Sequence, residues 1–264
     1  MDLKLKDKVV FISGSTAGIG LAIAKRFLTE EAQVIINGRT KEAVDEVVNQ
    51  LKSSFDDAKV SGIHADFAKV DEINRLIAEL PDVDILINNI AIFEPKPFVE
   101  ITDGDWFRFF EVNVMSGIRL ARHLFPKMIA KNWGRIIFIS SESAVFIPDD
   151  VIHYGVTKTA QLAVSRGLAE LTKGTGVTVN SILPGPTRSR GLEGILENIS
   201  TENNIAIKDI ESDFFKNIRP TSLLQRFSSV DEIADTVVYF SSPLASATNG
   251  AAIRVDGGVV RSVL

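Results

Sequence analysis

Short apolar runs rich in β-branched residues alternate with helical periods along nearly the whole chain. The first run, Val9-Val10-Phe11-Ile12-Ser13, is almost unbroken in its apolar character, the pattern of a parallel strand buried on both faces. It leads directly into Gly14-Ser15-Thr16-Ala17-Gly18-Ile19-Gly20. Residues 21–28 then carry a helical period, and Val34-Ile35-Ile36-Asn37 read as a second strand. That is a βαβ unit. Further on, the pattern predicts a polar helix over 41–53, a strand over 60–65, a helix over 70–80 and a strand over 84–89. A long helical segment over 103–131 and a strand from Gly134 into Ser141 follow. A helix from Tyr154 to about Lys173, a strand over 176–183 stopped by Pro184-Gly185-Pro186, a helix over 230–241 and a last strand over 251–256 complete the series. Seven strands separated by helices predict one α/β domain over residues 1–264, a doubly wound parallel sheet with helices on both faces.

Two places break the pattern. From Thr187 to Ser222 the period weakens to short helical pieces over 193–199 and 205–217, and a long insertion of this kind after the last crossover predicts a lid. Asn113 lies midway among apolar residues of the long helical segment. Its side chain competes there for backbone hydrogen bonds, so it predicts a kink or a water site.

Composition narrows the setting. With 45% hydrophobic residues over 264 positions, the chain can bury one large core, and no repeat or linker divides it. A net charge of -5 without a basic run argues against nucleic-acid or anionic-membrane partners. The absence of cysteine excludes disulfides and thiolate metal sites. No stretch approaches the roughly 20 apolar residues of a membrane span, so a cytoplasmic protein is expected. His64, His123 and His153 are scattered without ligand spacing, and no metal is implied.

Candidate chemistry sits at the strand ends. Gly14 permits a tight turn, Gly18 lets backbone approach a pyrophosphate, and Gly20 allows close helix–sheet packing, with Ser15 and Ile19 in the same turn. The free N–H groups of the following helix would receive the phosphates. About 20 residues beyond such a turn, an acid normally holds the ribose 2′-hydroxyl of NAD. Here that slot holds Gly38, which leaves room for a phosphate, and then Arg39, which can grip it, with Ser15 or Thr40 adding a hydroxyl. NADP(H) is therefore expected over NAD(H). Tyr154 and Lys158, four apart, share one helix face, so an ammonium would draw the phenol pKa down from about 10 and fit it for acid–base work. Ser141, at a strand end, is placed to hydrogen-bond the same reacting oxygen. Ile92, Phe93, Phe146 and Leu192 are candidate walls of an apolar substrate pocket.

Together these residues resemble the short-chain dehydrogenase/reductase family over nearly the whole chain. Ser13-Gly14-x-x-x-Gly18-x-Gly20 is similar to its TGxxxGxG turn, Asn88-Asn89-Ile90-Ala91 to its NNAG motif and Pro184-Gly185 to its PG motif. Asn113, Ser141, Tyr154 and Lys158 match its catalytic tetrad. The resemblance implies a Rossmann-like sheet of order 3-2-1-4-5-6-7 and hydride transfer between a nicotinamide and a small-molecule carbonyl or secondary alcohol. It further implies that Tyr154 is the acid or base, that Lys158 depresses its pKa and binds the nicotinamide ribose, and that Ser141 holds the substrate oxygen. Asn113 would order a water leading to Lys158, and Asp66 would meet the adenine. Asn89, Pro184 and Gly185 would line the dinucleotide, and a homotetramer is implied. Ser13 stands where the family has threonine, and Ile90-Ala91 where it has Ala-Gly. Two alternatives stay open. One is a 3-oxoacyl-carrier-protein-type reductase, although Asn132 and Thr175 occupy the positions where such relatives place basic residues. The other is a non-catalytic NADP-binding regulatory protein.

Overall fold

The computed structural model describes residues 1–263. Seven parallel strands form one sheet in the order β3-β2-β1-β4-β5-β6-β9, as the sequence predicts for its own seven. They are β1 (Val9–Ile12), β2 (Gln33–Gly38), β3 (Val60–His64), β4 (Ile85–Asn88), β5 (Gly134–Ile139), β6 (Val177–Pro184) and β9 (Ala252–Val255). Successive strand side chains point to opposite faces, so each strand feeds two cores. Val10, Ile12, Val34, Ile36, Ile137 and Ile139 pack on one face against α1 (Gly18–Thr29), α2 (Lys41–Ser54) and α9 (Val230–Phe240). Phe11, Ile35, Leu86, Ile136, Phe138 and Val179 pack on the other against α3 (Val70–Glu79), α5 (Ser116–Ala130) and α6 (Ile152–Glu170). Burial on both faces explains why these strands read as unbroken apolar runs rather than as alternations.

The strand order reverses between β1 and β4, which flank one another through Ile12 and Ile87. That reversal opens a crevice beyond the strands' carboxyl ends, the usual ligand position in open α/β sheets. The long helical segment is in fact α4 (Asp103–Phe109), a wide π turn over Phe110–Met115 and α5, with Asn113 inside the wide turn. The predicted kink is therefore an expanded turn in a continuous helical path.

The insertion is more regular than its sequence suggests. A short strand β7 (Thr187–Arg188) pairs in parallel with β8 (Ser228–Ser229), and α7 (Arg190–Asn203) and α8 (Ile207–Asp213) lie between them, the latter extended by a π turn over Phe214–Ile218. Leu196, Phe215 and Phe227 bury one another in a small core of their own. Its apolar residues answer to that local core and not to one face of the large sheet, so the period looked weak over 187–222. Among the described residues no helix is long and apolar enough to cross a membrane, and no cluster of His, Cys, Asp or Glu could hold a metal ion.

Candidate active site

The glycine turn is held from three sides. Gly14 and Gly18 adopt left-handed backbone, with φ of 62° and 56°, which favours glycine at both positions. A Cβ on Gly20 would lie 2.5 Å from the Gly14 carbonyl oxygen and 2.9 Å from Ser15 Cα, so only glycine permits this approach of helix to turn. Asn37, at the end of β2, accepts from the Gly14 N–H at 3.0 Å, and Asn89 donates to the Ser13 and Gly14 carbonyls at 3.1 and 2.9 Å. Asn37 was seen in sequence only as a strand end; its buried amide is what fixes the turn. No side chain caps the start of α1, where Ile19 lies, so its first N–H groups are left for a ligand. This cradle fits a dinucleotide phosphate.

Two expectations about the ribose end change. The Ser15 hydroxyl is fully buried, donates to the Ile12 carbonyl at 2.8 Å and accepts from the Asn37 N–H at 2.9 Å, so it is not free to bind a phosphate. Gly38 is not open space either: a Cβ there would meet Thr16 Cγ2 at 2.5 Å, so the glycine answers to packing against Thr16. Arg39 is exposed and makes no hydrogen bond or ion pair with the described residues, and Thr40 caps α2. Asp66 follows β3 and accepts from the Ala68 N–H at 3.0 Å. Pro184 ends β6, and a Cβ on Gly185 would meet the Asp256 backbone at 2.7 Å.

Ser141, Tyr154 and Lys158 converge where β5 ends and α6 begins. Lys158 is buried, and its Nζ donates to the Ile139 carbonyl at 2.8 Å and to Gln161 Oε1 at 3.3 Å. The Ser140 hydroxyl donates to the Lys158 carbonyl at 2.9 Å, tying α6 to the strand end. Gln161 in turn donates to the Asn113 carbonyl at 2.5 Å, so its side chain bridges Asn113 and Lys158. The Asn113 side chain accepts from the Ile92 N–H at 2.7 Å and donates to the Ile92 carbonyl and to Thr157 Oγ1, each at 3.1 Å. Asn113 thus pins the loop after β4 to α6, and the wide turn aims its own carbonyl inward. Gln161 escaped the sequence reading, although its place three residues beyond Lys158 on one helix face was a usable signal.

The electrostatics differ from the simple pairing expected of Tyr154 and Lys158. Burial lowers the Lys158 pKa to about 7, so the lysine has little positive charge to share above neutrality. The Tyr154 phenol is pushed up, not down, first by burial and then by the nearby charge of Glu142, while hydrogen bonding with Ser141 opposes both. Lys158 Nζ lies 5.5 Å from the Tyr154 ring centroid. Phe93 stacks edge-on against Tyr154 at 5.0 Å and remains largely exposed, so it reaches the mouth of the site, whereas Phe146 is exposed on the segment after the Glu142 turn. Leu192 instead packs against the core of the insertion. His153, next to Tyr154, is turned away and buried against Phe109 at 4.1 Å.

The family model described as enoyl-(acyl carrier protein) reductase matches residues 14–260. The chain belongs to the short-chain dehydrogenase/reductase family. The uncharacterized oxidoreductases YvrD and YvaG of Bacillus subtilis are 48% and 47% identical to it, each over the whole of both chains. L-sorbose reductase from Gluconobacter frateurii, crystallised with NADPH and L-sorbose, is 30% identical and superposes over all of both chains with a TM-score of 0.93. This short-chain dehydrogenase/reductase is an oxidoreductase acting on alcohol or carbonyl groups.

Proposed function

We propose that the protein is an NADP(H)-dependent carbonyl reductase in which Tyr154 is the proton donor. The observation that carries this reading is the convergence of Ser141, Tyr154 and buried Lys158 at one strand end, beside a glycine turn built for a dinucleotide. When bound, the reduced nicotinamide supplies the hydride. A phenol held protonated at neutral pH suits donation to the carbonyl oxygen as hydride arrives, and Ser141 lies beside it to hold that oxygen. The phenolate left behind is stabilised if Lys158, held by Ile139 and Gln161, takes up a proton. With its pKa near 7 it does so readily in the physiological range. A protein that only sensed NADP would need the glycine cradle but no such proton donor.

Several features support NADP(H). No acid stands at the end of β2, and Arg39 just beyond it is exposed without a partner among the described residues. NADPH in the crystallised L-sorbose reductase points the same way. The substrate is a small-molecule carbonyl compound, with Phe93 at the mouth of its pocket.

A homotetramer is the expected assembly, and an inversion on α6 supports one of its two-fold contacts. Its buried side is polar, with Thr157, Lys158, Gln161 and Ser165, whereas Ala163 and Gly167 lie exposed and a Cβ on Gly167 would meet nothing within 4 Å. Nearby α4 leaves Phe107 75% exposed. Flat, small, apolar surface of this kind suits a self-complementary contact with a second copy across a two-fold axis.

Three outcomes check this account. Tyr154→Phe removes the donor and should reduce turnover at least about a hundredfold, with NADPH affinity nearly unchanged. Full turnover in a panel of ketones, quinones, sugars and acyl thioesters would refute Tyr154 as donor. Arg39→Ala should weaken NADPH binding roughly ten- to a hundredfold and leave NADH binding nearly alone; tighter wild-type binding of NADH than of NADPH refutes the preference. Light scattering at micromolar concentration should report four chains, and a monomer contradicts the α6 contact.

A further inference from the structure

The mechanism above leaves the buried acid beside Ser141 unused. Glu142 follows Ser141 directly, in the tight turn after β5, and is 5% exposed. Its Oε2 accepts from the Ser141 hydroxyl at 2.7 Å and from the Ser143 N–H at 3.1 Å. Its Oε1 faces Arg219 Nε at 3.5 Å, beyond ordinary hydrogen-bond length for a charged pair, and that Nε is buried without another partner. Arg219 belongs to the 187–222 insertion, where it follows the π turn and donates through Nη1 to the Ile218 carbonyl at 3.1 Å. The loosely paired carboxyl therefore touches the serine of the candidate site on one side and the insertion on the other.

Hydroxyl chemistry makes this contact consequential. A serine has one O–H hydrogen to donate. When Glu142 is ionised it accepts that hydrogen, and Ser141 presents only lone pairs to the site. A carbonyl oxygen cannot use lone pairs. When Glu142 is protonated it can donate its own hydrogen to Ser141 Oγ, which frees the serine hydrogen to turn toward a carbonyl oxygen. The charge of the ionised form also opposes the phenolate that Tyr154 must become.

We propose that Glu142 is a positioning residue that sets the direction of the Ser141 hydroxyl, that carbonyl reduction needs its protonated form, and that Arg219 couples this state to the insertion. The inference rests on the carbonyl-reductase reading. No proton is gained or lost at Glu142 during a turnover: hydride goes to the carbonyl carbon, the Tyr154 proton goes to the carbonyl oxygen, and Glu142 and Ser141 only donate hydrogen bonds. The elements packed on this turn supply few competing charges. From α6, Tyr154 faces Glu142 while Lys158 and His153 are turned toward Ile139 and Phe109. Strand β6 contains no titratable side chain, and the insertion supplies Arg219. Burial lifts the Glu142 pKa above its ordinary 4.5, and Arg219, Ser141 and Ser143 hold it back. Reduction should therefore fall as pH rises through that raised value.

The test is the pH profile of kcat/KM for NADPH oxidation with L-sorbose and with 4-nitrobenzaldehyde as probes. Glu142→Gln keeps the shape and presents a permanent N–H donor that does not titrate. Its kcat/KM divided by that of the wild type should climb about tenfold or more from the acid to the alkaline end of the profile. The ratio cancels any limb due to Lys158, whose shift comes from burial alone, and loss of the Glu142 charge would move a Tyr154 limb to lower pH and pull the ratio down rather than up. Arg219→Gln removes the positive charge that favours the carboxylate, so its Glu142 limb should move to higher pH. NADPH affinity, read by fluorescence titration, should stay within about twofold in both variants, as a positioning role requires. A flat ratio, or a limb that stays in place in Arg219→Gln, overturns the role of Glu142 while leaving the reductase reading intact. Absence of wild-type turnover across the whole panel of ketones, quinones, sugars and acyl thioesters, these two probes included, overturns both.

Discussion

The burial of Lys158 is the constraint on which the rest of the site depends. An ammonium group taken out of water is costly, and the protein meets that cost partly with two fixed acceptors, the Ile139 carbonyl and Gln161, and partly by lowering the pKa to about 7. Each acceptor is positioned by something larger. Ile139 is the last residue of a central strand, buried between β4 and β6. Gln161 is held by the Asn113 carbonyl, which a wide helical turn aims inward. The sheet, the irregular turn and α6 therefore meet at one nitrogen. Between pH about 7 and 10.5 the folded protein holds fewer protons here than the unfolded chain, so this group's contribution to stability rises with pH across that window.

Much of this was legible in sequence because it lies in local patterns. Unbroken apolar runs marked the strands, since both faces of the sheet are covered; the glycine spacing marked the turn; and the four-residue spacing of Tyr154 and Lys158 marked a shared helix face. Asn113 announced itself as a polar residue in an apolar helix, and the structure shows an amide that donates both its hydrogens and accepts one.

What was not legible depends on distance or on burial. The pairing of Glu142 with Arg219 reaches across α6, β6 and most of the insertion, and nothing in either neighbourhood signals the other. The direction of the Tyr154 shift was misjudged because spacing reports proximity to a lysine but not the burial that suppresses that lysine's charge. In sequence Gly38 reads as room for a ligand, but its neighbour is Thr16, a contact between the end of β2 and the glycine turn. Leu192 reads in sequence as a pocket wall, yet it packs against the small core of the insertion. In each case the residue type was informative and its partner was not.

The most direct measurement is the titration of Lys158 itself, followed by NMR of the free protein labelled at lysine Cε, with Lys158→Met to assign the signal. The account predicts a midpoint near 7, well below the ordinary 10.5. A Lys158 signal that titrates at the ordinary value of 10.5 would contradict it.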